Sequence, residues 1–341
     1  MKKIKTVDAV GHVLCHDMTR IVPGVKKDAE FRKGHIVTEE DIPMLLSMGK
    51  EHLYVWEKDE NMLHEDEAAE ILCGMCLNEH MTRGQAKEGK IELFADADGL
   101  FCVDVPRLNK VNGLGEMMIA TRGNNFPVRK GDKLAGTRVI PLVIEKEKME
   151  AARKTAGDEP LLQIKPFGKR RAAMIITGSE VYSGRIEDKF GPAIERKLAE
   201  YDTEIIGKVI VGDDPETIAD NIKKFIGQGA DMILCTGGMS VDPDDTTPTA
   251  IKASGAKILT YGAPVLPGAM FLMAYWNDKI PVMGLPGCVM YAKRTIFDLV
   301  LPKVMAGVKL ELSDITNLGA GGLCLNCDIC TYPNCGFGRG E

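Results

Sequence analysis

Thr236-Gly237-Gly238-Met239-Ser240-Val241-Asp242-Pro243-Asp244-Asp245 follows the apolar run 231–235 and precedes a segment, 246–253, patterned as a short helix. An apolar run bounded by turn residues reads as a buried parallel strand, and Pro248 suits the first turn of the helix behind it. A strand ending in Gly-Gly and an acidic loop stands at the carboxyl edge of its sheet, where open α/β folds bind ligands. Glycines there let backbone N–H groups come close to phosphate oxygens. Asp242, Asp244 and Asp245 crowd so closely that they are either solvated or face a cation.

Working outward, the α/β alternation is regular. Strands are expected at 172–177, 204–211, 258–260, 270–275 and 280–284. Helices are expected at 190–201, after the Asp214-Pro215 cap, and at 288–305. The pattern implies a mostly parallel sheet covered on both faces. It brings two more loops to the same edge, 177–188 and Gly284-Leu285-Pro286-Gly287. The second leads into the N-terminus of the last helix, an anion site by its free N–H groups.

Four regions follow from these patterns: an α+β stretch, 1–90; a β-rich stretch and linker, 91–165; the α/β domain, 166–310; and a Cys-rich tail, 311–341. In the first, strands are expected at 10–15 and 31–37 around Pro23-Gly24, and at 52–57. Thr38 is the expected N-cap of a helix carrying Ile42, Leu45 and Leu46. A longer helix, 65–82, holds Cys73 and Cys76 in its apolar stripe, and buried thiols are the preferred reading over a redox or metal pair. From 91 to 144 no repeated helical period appears, so that stretch reads as mostly β, its basic residues mostly on a solvated face, with an anion-binding role for Arg122 or Arg138 the alternative. A short helix is expected to begin at 146.

The 341 residues carry a net charge of -6, which argues against a nucleic-acid-binding surface. No run of about 18 apolar residues exists to cross a membrane, and the basic start has no apolar segment behind it. Of the ten cysteines, four lie in the last eighteen residues. That distribution suits a metal site in a reducing cytoplasm better than a disulfide framework. Cys324, Cys327, Cys330 and Cys335 are spaced C-x2-C-x2-C-x4-C, as expected for Zn2+ or one [4Fe–4S] cluster. Zinc ribbons usually put a longer loop between their cysteine pairs, which tilts the expectation to the cluster. Gly319, Gly321 and Gly322 predict a loose tail that adds little to the core and is removable after Lys309.

Taken together, the edge loops resemble the molybdopterin-binding domain shared by enzymes that complete the molybdenum cofactor. Thr177-Gly178-Ser179-Glu180, with Gly184 to Pro192 behind it, is similar to that family's first active-site loop. Thr236 to Val241 with Asp245 resembles its Gly-Gly loop and terminal Asp, and Gly284-Leu285-Pro286-Gly287 its last turn. The likeness covers roughly residues 171–309. One branch of the family adenylates molybdopterin with ATP; the other inserts molybdate into adenylylated molybdopterin and releases AMP. Ser240-Val241 and the Gly-Leu-Pro-Gly turn look like the inserting branch, whereas Asp188-Lys189, Gly191-Pro192 and 245–248 look like the adenylating one. This chain departs from the inserting branch at Ser179, where Asp is usual in Thr-Gly-Asp-Glu. Cys288-Val289 replaces Asn-Pro, Pro267-Gly268-Ala269 lacks a Lys, and only a short tail follows the domain.

The resemblance implies a pterin ligand, molybdopterin or its adenylate. Thr177, Gly178, Ser179, Glu180, Gly237, Gly238, Ser240, Pro286 and Gly287 are the expected binding residues. Asp188 and Asp245 are the expected catalytic residues, sharing Mg2+ with Asp242 or Asp244 in support; capping the next helix is the structural role open to Asp245. Molybdate is the expected co-substrate, a homodimer the expected assembly by analogy, and a molybdoenzyme the expected client. A molybdopterin adenylyltransferase and a non-catalytic cofactor carrier or sensor are the alternatives.

Overall fold

Strands Thr203–Val211, Arg170–Thr177, Met232–Thr236, Ile280–Leu285, Leu272–Trp276 and Lys257–Tyr261 lie side by side in that order. The first four run parallel, and Leu272–Trp276 is antiparallel to both its neighbours. The expected mostly parallel sheet is therefore present. Alternate residues of Arg170–Thr177 face opposite ways, as strand geometry requires. Ala172 and Met174 pack with Ile194 and Leu198 of helix Phe190–Leu198 and with Phe297 and Val300 of helix Ile296–Met305. Ala173 and Ile175 pack with Ile218, Ile222 and Phe225 of Pro215–Gly227 and with Ile251 of Thr247–Ala253. Helix, sheet and helix make three layers.

This computed structural model describes residues 2–22, 26–55, 60–240, 242–243 and 245–340. They divide into two compact units. One is Met1–Phe94, Asp104–Arg122 and Lys133–Gln163; the other is Ala95–Val103, Gly123–Asp132 and Ile164–Glu341, which contains the six-stranded sheet. No helix among the described residues is long and apolar enough to cross a membrane.

In the first unit Met81–Arg83, Lys90–Ala95, Lys133–Val139 and Met117–Thr121 form a four-stranded sheet. Two expectations are corrected here, and one helix is added. Residues 91–144 are mostly β, as expected, apart from one helix, Val105–Asn112, begun by the Asp104 carboxylate accepting the Arg107 N–H at 3.0 Å. The helix expected at 65–82 stops at Cys76, and the chain re-enters the sheet at Met81. The first hairpin ladder is Met18–Val22 with Lys26–Phe31; Val13 and Leu14 make only isolated bridges. Its Pro23-Gly24 turn, and residues 56–57 of the strand expected at 52–57, lie outside the described residues. Cys73 and Cys76 are buried, and burial pushes the Cys76 thiol up to about 12, which keeps it protonated and inert.

Glu65 opens helix Glu65–Cys76 with 8% of its surface exposed, and burial beside Asp66 and Glu88 raises its carboxyl to about 7, against Arg138 and Lys33. The folded state thus holds this proton more tightly than the unfolded chain does. Stability from this group is complete below pH 4.5 and is lost as pH rises to about 7. Glu65→Gln is expected to remove that slope, and at pH 8 to stabilise the protein by about 1–3 kcal/mol. Urea denaturation of both proteins across pH 4–8, read against a ~1 kcal/mol threshold, checks it; parallel curves would refute it.

The tail is also corrected. Leu310, Ile315, Leu318 and Phe337 are buried in the same cluster as Phe297 and Leu299. Gly319, Gly321 and Gly322 break no structure; they allow close contact. A Cβ on Gly322 would sit 2.4 Å from the Pro264 carbonyl oxygen.

Candidate functional site

The chain leaves Arg170–Thr177 for the edge strand Thr203–Val211 on one side and returns to Met232–Thr236 on the other. This reversal makes a crevice at the carboxyl ends of the two neighbours, the usual ligand position in open α/β sheets. Ile176 and Thr236 are paired across it, so Thr177-Gly178 and Gly237-Gly238 emerge together.

Their approach explains the glycines. Gly237 has φ +88, and a Cβ there would lie 2.0 Å from the Thr177 carbonyl oxygen. Gly238 has φ +53, with a Cβ position 2.9 Å from Thr247 Oγ1. The buried Thr177 and Thr247 hydroxyls are 3.1 Å apart, and Thr247 Oγ1 donates to the Gly237 carbonyl at 2.8 Å. The Thr177 hydroxyl therefore braces the two loops from beneath. Met239 is buried against Gly284, where a Cβ would come within 2.6 Å of Met239 Cε. Gly284 thus seats the Gly-Gly loop on the strand that leads to Pro286.

Asp245 does not cap the helix behind it. Its Oδ2 accepts the Ser240 N–H at 2.9 Å, closing the acidic loop on itself, while Thr246 holds the N-cap position of Thr247–Ala253. Tyr261 donates its hydroxyl to the Met239 carbonyl at 2.8 Å; burial and the nearby Asp245 charge raise its phenol, which keeps that proton in place. Ser240 is exposed, and Val241 and Asp244 lie outside the described residues.

Asp188 is held at the other end of the first loop. Its Oδ1 accepts the Gly191 N–H at 2.9 Å and its Oδ2 lies 3.9 Å from Lys208 Nζ. A Cβ on Gly191 would meet Asp188 Oδ2 at 2.4 Å, so glycine is needed where helix Phe190–Leu198 passes this carboxylate. Gly178 has φ +134, and Ser179 and Glu180 are exposed in the turn Ser179–Tyr182. Pro286 is buried and Gly287 exposed.

One residue at this edge escaped the sequence reading. Asp213 Oδ2 accepts both the N–H and the hydroxyl of Ser179 at 2.8 Å, and its carbonyl accepts the Thr246 hydroxyl. It therefore links the loops after three strands. Its signal was position: Gly212-Asp213 immediately follows Thr203–Val211, the strand beside Arg170–Thr177.

The last loop is corrected. Gly284-Leu285-Pro286-Gly287 leads into a four-residue 3-10 turn, Gly287–Met290, and the helix expected from 288 starts only at Ile296. The expected helix N-terminus at Gly287 is thus absent. Thr295 and Asp298 instead form a capping box at the true start.

The tail cysteines are free thiols, half-buried at Cys324 and Cys335 and exposed at Cys327 and Cys330. Among the described residues, no three His, Cys, Asp or Glu side chains converge as ligands of one metal ion.

Residues 173–306 match the family described as a probable molybdopterin binding domain, and residues 3–57 match a domain of unknown function (DUF8806). The first match takes in most of the six-stranded sheet and covers less than half of the chain. Among curated proteins, the chain is similar to the CinA-like protein of Mycolicibacterium vanbaalenii, at 33% identity over 28% of this chain and 22% of that one. It is similar also to the CinA-like protein of Mycobacterium tuberculosis, at 39% identity over 23% of this chain and 18% of that one. The match spans about a fifth of the length of these curated relatives. Among solved structures, the molybdopterin biosynthesis enzyme MoaB of Thermus thermophilus is 22% identical over 40% of this chain and 91% of its own, with a TM-score of 0.34. The tungsten cofactor synthesizing protein MoaB of Pyrococcus furiosus is 23% identical over 40% and 91%, with a TM-score of 0.33.

Proposed function

We propose that this edge binds molybdopterin or its adenylylated form and promotes Mg2+-dependent insertion of molybdate. The observation that carries the reading is the meeting of the Gly237-Gly238 turn with Thr177-Gly178 at the switch point of the sheet. Two successive positive-φ glycines turn neighbouring N–H groups into a concave donor surface suited to a phosphate.

Mg2+ takes one or two carboxylates and keeps several waters, and in this reading Asp245 supplies the first. Ser240 engages only Oδ2 of Asp245, leaving Oδ1 for the ion, and Asp188 is the second carboxylate of this reading. When bound, the ion would offset charge on the phosphoanhydride oxygens. Ser179 stands where an inserting enzyme has Asp, yet Asp213 brings a carboxylate to that place from the next loop. This favours insertion over adenylylation or a carrier role. A homodimer, a molybdoenzyme client, and tail cysteines that hold an iron–sulfur cluster or zinc complete the reading.

Supplying adenylylated molybdopterin with molybdate, or molybdopterin with ATP, tests it by which mixture is consumed. Binding without turnover of either would leave only the carrier. Asp245→Asn keeps an acceptor for the Ser240 N–H but loses the charge. Turnover is expected to fall on the order of 100-fold while pterin binding persists, since losing several kcal/mol of charge stabilisation acts on the rate. Near-normal turnover in this variant would remove Asp245 from the mechanism.

A further inference from the structure

All four tail cysteines line one cavity of about 210 Å³, bordered also by Lys293, Arg294 and Tyr332. From this we infer that Cys324, Cys327, Cys330 and Cys335 ligate a [4Fe–4S] cluster.

The loop that carries them is fixed at both ends. Before it, Leu266 donates its N–H to the Gly322 carbonyl and Cys324 donates to the Leu266 carbonyl, both at 2.8 Å. After it, Phe337 is buried with Leu299, and Gly338 donates to the Gly321 carbonyl at 3.0 Å. Its middle is pinned by Lys293 Nζ, which donates to the carbonyls of Cys327 at 3.2 Å and Asp328 at 2.7 Å. Tyr332 donates its hydroxyl to the Asp298 carbonyl at 2.9 Å, and Arg294 stacks over its ring.

Between these anchors Cys324, Tyr332 and Cys335 pack against the core, and the apolar residues between the cysteines do not. Leu325 and Ile329, which alternate with the cysteines, are 79% and 81% exposed. The loop has sacrificed apolar burial, and what its cysteines share is the cavity. Apolar residues around a cluster limit its exposure to solvent, one of the controls on its potential. Lys293 puts positive charge beside the four thiolates that the site requires, and Arg294, held by Asp298, borders the same cavity.

The arrangement distinguishes a cluster from one ion. Tetrahedral Zn2+ with Zn–S bonds of about 2.3 Å would gather four sulfurs to roughly 3.8 Å from one another. The four cysteines here instead border a cavity of about 210 Å³. A cubane cluster assigns each thiolate to a different iron, so its ligands stand farther apart around a cavity. Ligation of a preassembled, thiolate-capped cluster is balanced: each Sγ–H gives its proton to a departing donor thiolate, whose Fe–S bond breaks as the protein's forms, without change of oxidation state.

The inference rests on the tail being a metal site at all, and the assay separates the two. Full-length protein is purified without oxygen, reconstituted with a preassembled [4Fe–4S] donor, and analysed for iron, sulfide and zinc. About four irons and four sulfides per chain, with broad visible absorption bleached by dithionite, are expected. Colourless protein with one zinc would overturn the cluster while sparing the metal site, and metal-free protein would overturn both. Cys327→Ser with Cys330→Ser changes only exposed side chains and is expected to lose the iron with its thermal unfolding still cooperative. Cys288→Ser, outside the tail, is expected to retain it. Full iron in the double variant would overturn the assignment. None of these readouts depends on pterin binding, so either reading can fail alone.

Discussion

A chain ending at Lys309 is expected to lose cooperative unfolding of the α/β unit. Leu310, Ile315, Leu318 and Phe337 are each less than a tenth exposed. At about 1.5–3 kcal/mol per buried side chain, their loss amounts to roughly 6–12 kcal/mol, comparable to the whole stability of a domain. Deletion also takes Asp314 from Lys303, whose ammonium lies 2.8 Å from it with only 9% of the side chain exposed. The remaining helix Ile296–Met305, buried along its full length, would be opened to water. Thermal and urea scans of the truncated chain check this. A single sharp transition within a few degrees of the full-length protein would show the tail to be an ornament.

Asp298→Ala is expected to destabilise the protein by about 3–5 kcal/mol, the cost of leaving a buried charge without its partner. Both oxygens of Asp298 accept from Lys197 Nζ at 2.7 Å, and Arg294 Nη1 donates to Oδ1 at 2.9 Å. The backbone N–H of Thr295 adds a bond at 2.7 Å to the same carboxylate. Asp298 is 5% exposed and Lys197 9%, so water replaces little of this network. The pair joins the helix that begins beside Asp188 to the helix that follows the Gly-Leu-Pro-Gly turn, so it also holds two edge loops in place. Asp298→Asn keeps an acceptor for the Thr295 N–H and isolates the charge. Adding Lys197→Met to Asp298→Asn is expected to cost less than the sum of the two, since no charge is then stranded. A loss below about 1 kcal/mol in Asp298→Ala would sink this account.

The six-stranded sheet was legible because each strand is an apolar run and each helix has its own stripe and cap, as in Asp214-Pro215 with Ile218, Ile222 and Phe225. Helix Val105–Asn112 was missed although Asp104, Pro106 and the Leu108/Val111 spacing announced it; eight residues between strands show too little period. The break between Met290 and Ile296 was hidden by the absence of Gly or Pro, yet Thr295 with Asp298 three residues on is a capping pair. At the edge, the glycines were readable from type and spacing. The role of Asp213 was not, because it depends on which strand lies beside which. The tail was misjudged on composition: its glycines signal close approach, and its apolar residues find partners far away in the chain, which periodicity does not reveal.

That closure has a consequence for synthesis. The layer against Ile296–Met305 is complete only when Phe337 is in place, some 167 residues after the sheet begins at Arg170. At about 5–20 residues per second, a ribosome needs roughly 8–33 s for that span. Throughout it the nascent sheet keeps an unfinished apolar face, a target for holding chaperones until Phe337 has been added.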